Sequence, residues 1–302
     1  MAIASSAATK LYYIEEEADG TIDATAPNFK ELRYVDHSLQ KTSERISGDE
    51  KIAGRHKSAD RRGVGSISGD LNCLLSHGSH DDLIEAAFMG TWATNVLKTG
   101  ATRRTFSVLE HHSDSGIDQW YRYAGCEMST FGIDNKIKDK IGLKFGIVGK
   151  SLAKYTLPGD EVLVAAPTEN FMTTLDGSLS VAGSPYGFAT SLTFDLNNGL
   201  EAIYALFDPD AVGVVDDTIT AEGGLDAYFT SVALYDRFLD DTDTLLSAVL
   251  SDGTNTYTFK VPKAVWVEGT KAPSGKQVVT SMKYSAAYEA GDASEFMITR
   301  SA

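Results

Sequence analysis

Residues Thr102–Lys150 read TRRTFSVLEHHSDSGIDQWYRYAGCEMSTFGIDNKIKDKIGLKFGIVGK, and they decide the fold class. Three runs alternate between clusters of Gly, Ser and Asp. Thr105–Leu109 alternates into Phe106 and Val108. Gln119–Tyr123 sets Trp120 and Arg122 on one face, Tyr121 and Tyr123 on the other. Ile141–Val148 gathers Ile141, Leu143, Phe145 and Ile147 opposite Gly142, Lys144 and Gly146. Side chains of a strand alternate with a period of two, so each run predicts a strand. The last run buries one face and leaves the other thin or wet. No catalytic set appears among these residues; the stretch predicts wall.

Upstream, residues 1–28 are poor in apolar residues and predict a loosely held N-terminal arm. Phe29–Leu39 predicts a first strand. Gln40–Gly65 is a long polar connection, of the kind that is functional or disordered; it predicts an extended hairpin arm ordered by a neighbour. Ser66–Leu75 points Ile67, Leu71, Cys73 and Leu75 one way and Ser66, Ser68, Asp70 and Asn72 the other. That pattern belongs to an antiparallel sheet with one wet face. A short helix follows, with Ser79 as its N-cap, acids in its first turn and Gly90 as its stop.

Downstream, Pro158-Gly159 and Pro167 mark a linker over 158–170. It divides a first unit, 29–157, from a second, 171–302. Beyond it come strands at Leu179–Val181, Thr190–Leu196 and Leu225–Phe229. A Ser231-capped helix near Val232–Leu239 follows, then strands at Tyr257–Val261, Ala264–Val267, Val278–Met282 and Tyr284–Tyr288. The order of elements returns. Gly69-Asp70-Leu71 matches Gly223-Gly224-Leu225, and Thr105–Val108 matches Thr258–Val261, which predicts an internal duplication.

The chain has 302 residues, 42% hydrophobic, enough for a sizeable core. No apolar run approaches the roughly 20 residues that span a bilayer, and MAIASSAATK does not read as a secretory signal. Cys73 and Cys126, without CxxC spacing, fit a reducing compartment and argue against zinc. A net charge of −15 excludes a general phosphate-neutralising binder of nucleic acid. Lys41, Arg45, Lys51, Arg55, Lys57, Arg61 and Arg62 make one basic stretch, whereas Asp195–Asp252 is acidic with a single base, Arg237. Opposite patches in one molecule suit head-to-tail self-association. The His-bearing segments His77/His80 and His111/His112 alone have metal or acid–base potential, and His77 and His80 stand beside Asp81 and Asp82. Their place in a helix-capping loop favours a capping role. With no phosphate loop, nucleophile elbow or Cys–His pair, the sequence predicts no enzyme, no catalytic or metal site and no cofactor.

Several motifs in order resemble the tail tube proteins of long-tailed, non-contractile (siphovirus-type) bacteriophages. They are Arg62-Gly63 leading into Ser66–Leu71, Asp81–Ala87 with Gly90-Thr91-Trp92, Arg104–Glu110, and Tyr121–Cys126. The second half adds Leu234–Phe238, Thr256–Phe259 and Tyr284–Tyr288. The likeness runs from about Glu31 to Arg300. His111–Gly116 is more polar than the pattern. The resemblance implies a mainly β fold: tandem β-sandwich or half-barrel units, each with a short helix and a long arm. It implies a structural virion protein whose rings stack into a hollow tube that carries viral DNA to the host. A ring would be a trimer with pseudo-sixfold symmetry rather than a hexamer. Its partners would be further copies, the tape-measure protein, and the tail terminator and tail-tip proteins; DNA would pass without specific binding, and no membrane is involved. The place would be the virion tail, after assembly in the host cytoplasm. The alternative is a monomeric β-sandwich decoration or adhesion module.

DNA sliding through a pore must not stick, so an acidic or neutral polar lining fits where a basic one would bind phosphate. Ser68, Asp70, Asn72, Glu222 and Asp226 are the expected lumen residues, and the Gly142, Lys144 and Gly146 face is a further candidate for lumen or ring contact. The basic arm from Lys41 to Arg62 is the expected ring-to-ring contact, docking on the acidic second half.

Overall fold

The structure, a computed structural model, describes residues 5, 8–23, 25–48, 50, 56, 59–114 and 116–301. The first half supplies β1 (Thr9–Glu15), β2 (Asn28–Glu31), β3 (Asp36–His37), β4 (Gln40–Ile46) and β5 (Arg61–Leu74). Helix α1 (Asp81–Ala87) leads to β6 (Val96–Lys98), β7 (Phe106–Asp114), β8 (Ile117–Lys136) and β9 (Gly142–Gly149). Two short strands, β10 (Ser151–Tyr155) and β11 (Val162–Val164), end this half. The second half opens with β12 (Gly177–Val181), β13 (Ser184–Pro185) and β14 (Ala189–Asn197). Next come β15 (Glu201–Ile203), β16 (Gly213–Val215), β17 (Thr220–Tyr228) and α2 (Ala233–Leu239). It closes with β18 (Thr244–Ser251), β19 (Thr256–Ser274), β20 (Gln277–Ala286) and β21 (Met297–Arg300). Over the described residues the protein is mainly β, with two short helices and sheets that do not close on themselves.

One long strand in each half belongs to two layers. In the first half, β8 pairs with β7 as far as Cys126 and with β9 from Glu127 onward. A bulge between Met128 and Thr130 accompanies the change. An extra residue on one strand reverses which parity faces inward. Hence Cys126 and Met128 are buried before the bulge and Phe131 and Ile133 after it. Strand β19 repeats the device: it pairs with β18 up to Ala264, with β20 from Ala264, and bulges between Trp266 and Glu268.

The pairings around these strands recur as well. Strand β5 lies between β4 and β9, with β8 beyond; β17 lies between β14 and β20, with β19 beyond. In the other layer β7 sits between β1 and β8, as β18 sits between β12 and β19. The match of Gly69–Leu71 with Gly223–Leu225 therefore joins equivalent strands, β5 and β17. The match of Thr105–Val108 with Thr258–Val261 does not, because β7 corresponds to β18 and β19 to β8. A shared Thr-Phe alternation was enough to align strands with different roles.

Two ladders join the halves, β6–β21 and β8–β14. Ser191–Asn197 of β14 pairs with Thr130–Lys136 of β8, giving one inner sheet in the order β4–β5–β9–β8–β14–β17–β20–β19. Behind it, rings from both halves share a core. Phe88 meets Phe296 at 5.0 Å, Phe296 meets Phe194 at 5.3 Å, and Phe194 meets Phe259 at 6.0 Å. Burial of such rings dominates core energetics.

The expected loose arm over 1–28 gives way for part of its length. Leu11, Tyr12 and Tyr13 of β1 are buried, and β1 pairs with both β2 and β7. Its apolar residues are few but consecutive, which a composition average over the segment hides. Ser79 does not cap α1: the N-cap is His80, without a side-chain cap bond. Met89, at φ 47°, takes the left-handed position after the helix that was expected of Gly90.

Candidate channel face and assembly edges

The inner sheet turns its apolar side chains to the core and a polar face outward. Leu143, Phe145 and Ile147 of β9, Leu192, Phe194 and Leu196 of β14, and Leu225 of β17 are buried. Their alternating neighbours make the other face. All five expected lumen residues lie on it: Ser68, Asp70 and Asn72 on β5, Glu222 and Asp226 on β17. The face also carries Asp134 and Lys136 on β8, Lys144 on β9, Asp195 on β14, Lys283 on β20 and Glu268 on β19. Sequence reading missed Asp134, Lys136 and Asp195. The bulge in β8 shifts the alternation, and the β8–β14 ladder that brings them to the centre leaves no local signal.

Each lysine on this face has a carboxylate beside it. Lys144 meets Asp70 at 2.9 Å, Lys136 meets Asp134 at 2.6 Å and Lys283 meets Glu268 at 2.7 Å. Exposed pairs of this kind add little stability, but they tether the cations. Asp195, Glu222 and Asp226 have no ion pair among the described residues, so the uncompensated charge is negative. Asp195 lines a groove with Gly132, Lys144 and Glu222. Burial of its carboxyl, then the charges of Asp134 and Glu222, push its pKa above the usual carboxylate range.

Both ends of the inner sheet are open. Beyond β4, and beyond the Glu268–Ser274 part of β19 on the side away from β20, no strand pairs among the described residues. An unpaired edge is a template for another chain.

The basic arm divides. Lys41 pairs with Asp210 of the same chain, so it meets the acidic second half within the molecule. Arg45 and Arg62 stand directly opposite each other in the β4–β5 ladder, and Arg61 faces Ile46. All three arginines are exposed and form no ion pair among the described residues. Lys51, Arg55 and Lys57 lie outside the described residues.

A second arm, the long arm expected of the second unit, runs from β14 to β17 and holds the small β15–β16 sheet. It folds back on the first half. Pro209 O accepts from Gly65 N at 2.8 Å. The Arg103 guanidinium donates to both oxygens of buried Glu127 at 2.9 and 2.6 Å and to Val214 O at 2.8 Å, and lies 3.4 Å from Asp216. Its position is the same as that of the first arm, between the first two strands of an inner sheet.

The histidines do structural work. His80 is buried with Nε2 on Arg33 O at 2.9 Å, and burial lowers its pKa. His77 lies against the Tyr257 ring. Cys73 and Cys126 are both buried, and burial raises both thiols, Cys73 to about 12.

Comparison with known families fits this architecture of sheet, open edges and arms. No curated protein matches the chain. The family model described as phage tail tube protein matches residues 6–290, nearly the whole length. The chain therefore belongs to the phage tail tube protein family, structural proteins of the virion tail.

Proposed function

We propose that three copies of this protein close into a ring with pseudo-sixfold symmetry, and that rings stack into a hollow tail tube through which viral DNA passes. The observation that carries the reading is the β8–β14 ladder, which joins two equivalent four-stranded sheets edge to edge and leaves the same two kinds of edge open at the ends. Repeating that joint between copies removes every exposed edge of the inner sheet. Stacking is a heterologous contact that does not close, which is how filaments grow.

The polar face of the inner sheet is the lumen in this reading. Its acids outnumber its bases and its lysines are tied to carboxylates, so phosphates slide past without being held. Each half acts as one tube unit: 29–157 together with β1 and β11, which pair into it, and 171–302. Tape-measure, tail terminator and tail-tip proteins are the expected neighbours, and assembly takes place in the host cytoplasm. Electron microscopy of the purified chain tests the reading. Tubes or rings of three copies support it; a protein that stays monomeric at high concentration, or binds only to capsids, overturns it.

A further inference from the structure

The two helices occupy equivalent places, yet only one is covered. Helix α1 buries Asp81, Leu83, Ile84, Ala86 and Ala87. The second half supplies much of the cover. Tyr257 and Arg300 hold the Asp81 carboxylate, Asn198 Nδ2 donates to Ala87 O at 2.8 Å, and Phe296 lies on Phe88. Helix α2 rests on β19 of its own half and buries only Leu234. Around it Phe229 is 37%, Val232 55% and Leu239 61% exposed. The strand beside each helix repeats the contrast: β8 beyond its bulge is covered by β14, while β19 beyond its bulge has an open edge.

We propose that α2 and the open edge of β19 receive the β4 side of a second copy, in the register that β14 adopts on β8. The proposal rests on the ring reading above. The register follows from pairs already in the chain. Gly69 and Gly223 are equivalent, and each is followed toward its arm by a residue with a known partner: Ser68 faces Gln40, Glu222 faces Asp195. Gln40 therefore stands where Asp195 stands. Asp195 faces Gly132, three residues past the Ser129 bulge, and the residue three past the equivalent Val267 bulge is Thr270. Gln40 of the second copy thus lies opposite Thr270, and Thr42 opposite Glu268.

The same transfer carries Ser43, just before the bulge in β4, to the end of α2, as Asn198 reaches the end of α1. Charge agrees with the placement. Asp240 and Asp241 follow α2, beside an Asp243 already paired with Lys263, and Arg45 with Arg61 and Arg62 closes the β4–β5 hairpin. Exposed apolar surface around α2 becomes buried, and paired arginines that repel one another gain carboxylates.

A Gln40→Cys/Thr270→Cys variant tests the register, because directly opposed residues have Cβ atoms close enough for a disulfide. The native thiols are buried and stay silent. Oxidation should give covalent dimers and trimers on a non-reducing gel, while either single variant gives none. Rings that form but fail to cross-link, or that cross-link equally well as Gln40→Cys/Glu268→Cys, overturn the proposal. Leu239→Glu is the second arm of the test. Its monomer should melt like the wild type and its ring assembly should be lost; retained assembly overturns the proposal. Wild-type protein that forms no rings sinks the ring reading itself, a result separate from either of these.

Discussion

The two arms start from equivalent strands and meet different fates. The second arm, between β14 and β17, is held down on the first half by Asp210 on Lys41, Pro209 on Gly65 and the Arg103–Glu127 pair. The first arm, between β4 and β5, has no such seat among the described residues and sets Arg45 against Arg62. Like charges directly opposite each other on a ladder are destabilising. The second arm finds its seat on the first half of the same molecule; in the proposed assembly, the first arm finds its carboxylates on another copy.

The sharpest way to break the comparison is to reverse the first arm. Arg61→Glu/Arg62→Glu should abolish ring closure, and with it tube growth, and leave the monomer folded. Exposed substitutions of this kind change stability by about 0.5 kcal/mol or less, so the melting curve should hardly move. Full-length tubes from the double variant, seen by electron microscopy, would show that the arm is not the contact.

Breaking the second arm acts on the monomer instead. Glu127→Ala removes the buried carboxylate that grips Arg103, and Arg103 also anchors Val214. Loss of one partner of a buried pair is strongly destabilising, but Arg103 is 33% exposed and water can take it up. A cost of about 2 kcal/mol in urea unfolding is expected, with faster amide exchange over β15–β16. Asp216→Asn is the milder form. Its side chain is 50% exposed, so the cost should be under about 0.5 kcal/mol. Equal effects from the two variants would mean that the arm is held by something other than the Arg103–Glu127 grip.

The contrast between the arms was half legible in the sequence. The basic stretch and the polar faces of β5 and β17 could be read because local alternation and charge runs are properties of neighbouring residues. Ile141–Ile147 was legible for the same reason and is buried throughout at its apolar positions. Long-range facts left no such trace. Asp134 and Asp195 reach one face through a ladder between residues about sixty positions apart, and the bulge at Ser129 interrupts the alternation that would have shown β8 as one strand. The seat of the second arm was hidden because Arg103 and Glu127 lie far away in sequence. Helix caps failed at a finer level: Ser79 has the right chemistry for a cap and sits one residue too early.

The smallest effect concerns the face between the arms. Asp195 lies where the two halves join, and its pKa is raised by burial first and by Asp134 and Glu222 next. A carboxyl whose folded pKa lies above its unfolded value binds more protons when folded. Stability is then gained as pH falls through the raised pKa, and at neutral pH the ionised form weighs against the fold. Asp195→Asn should therefore stabilise the monomer near pH 7, by less than about 1 kcal/mol because solvent reaches the group. Below the ordinary carboxylate range the two proteins should melt alike. Urea titrations at several pH values decide it. A neutral-pH gain that disappears in acid would mean that the centre of this face keeps its negative charge against the preference of the fold, as a wall that must not hold DNA requires; an unchanged or lowered stability at pH 7 would remove that support.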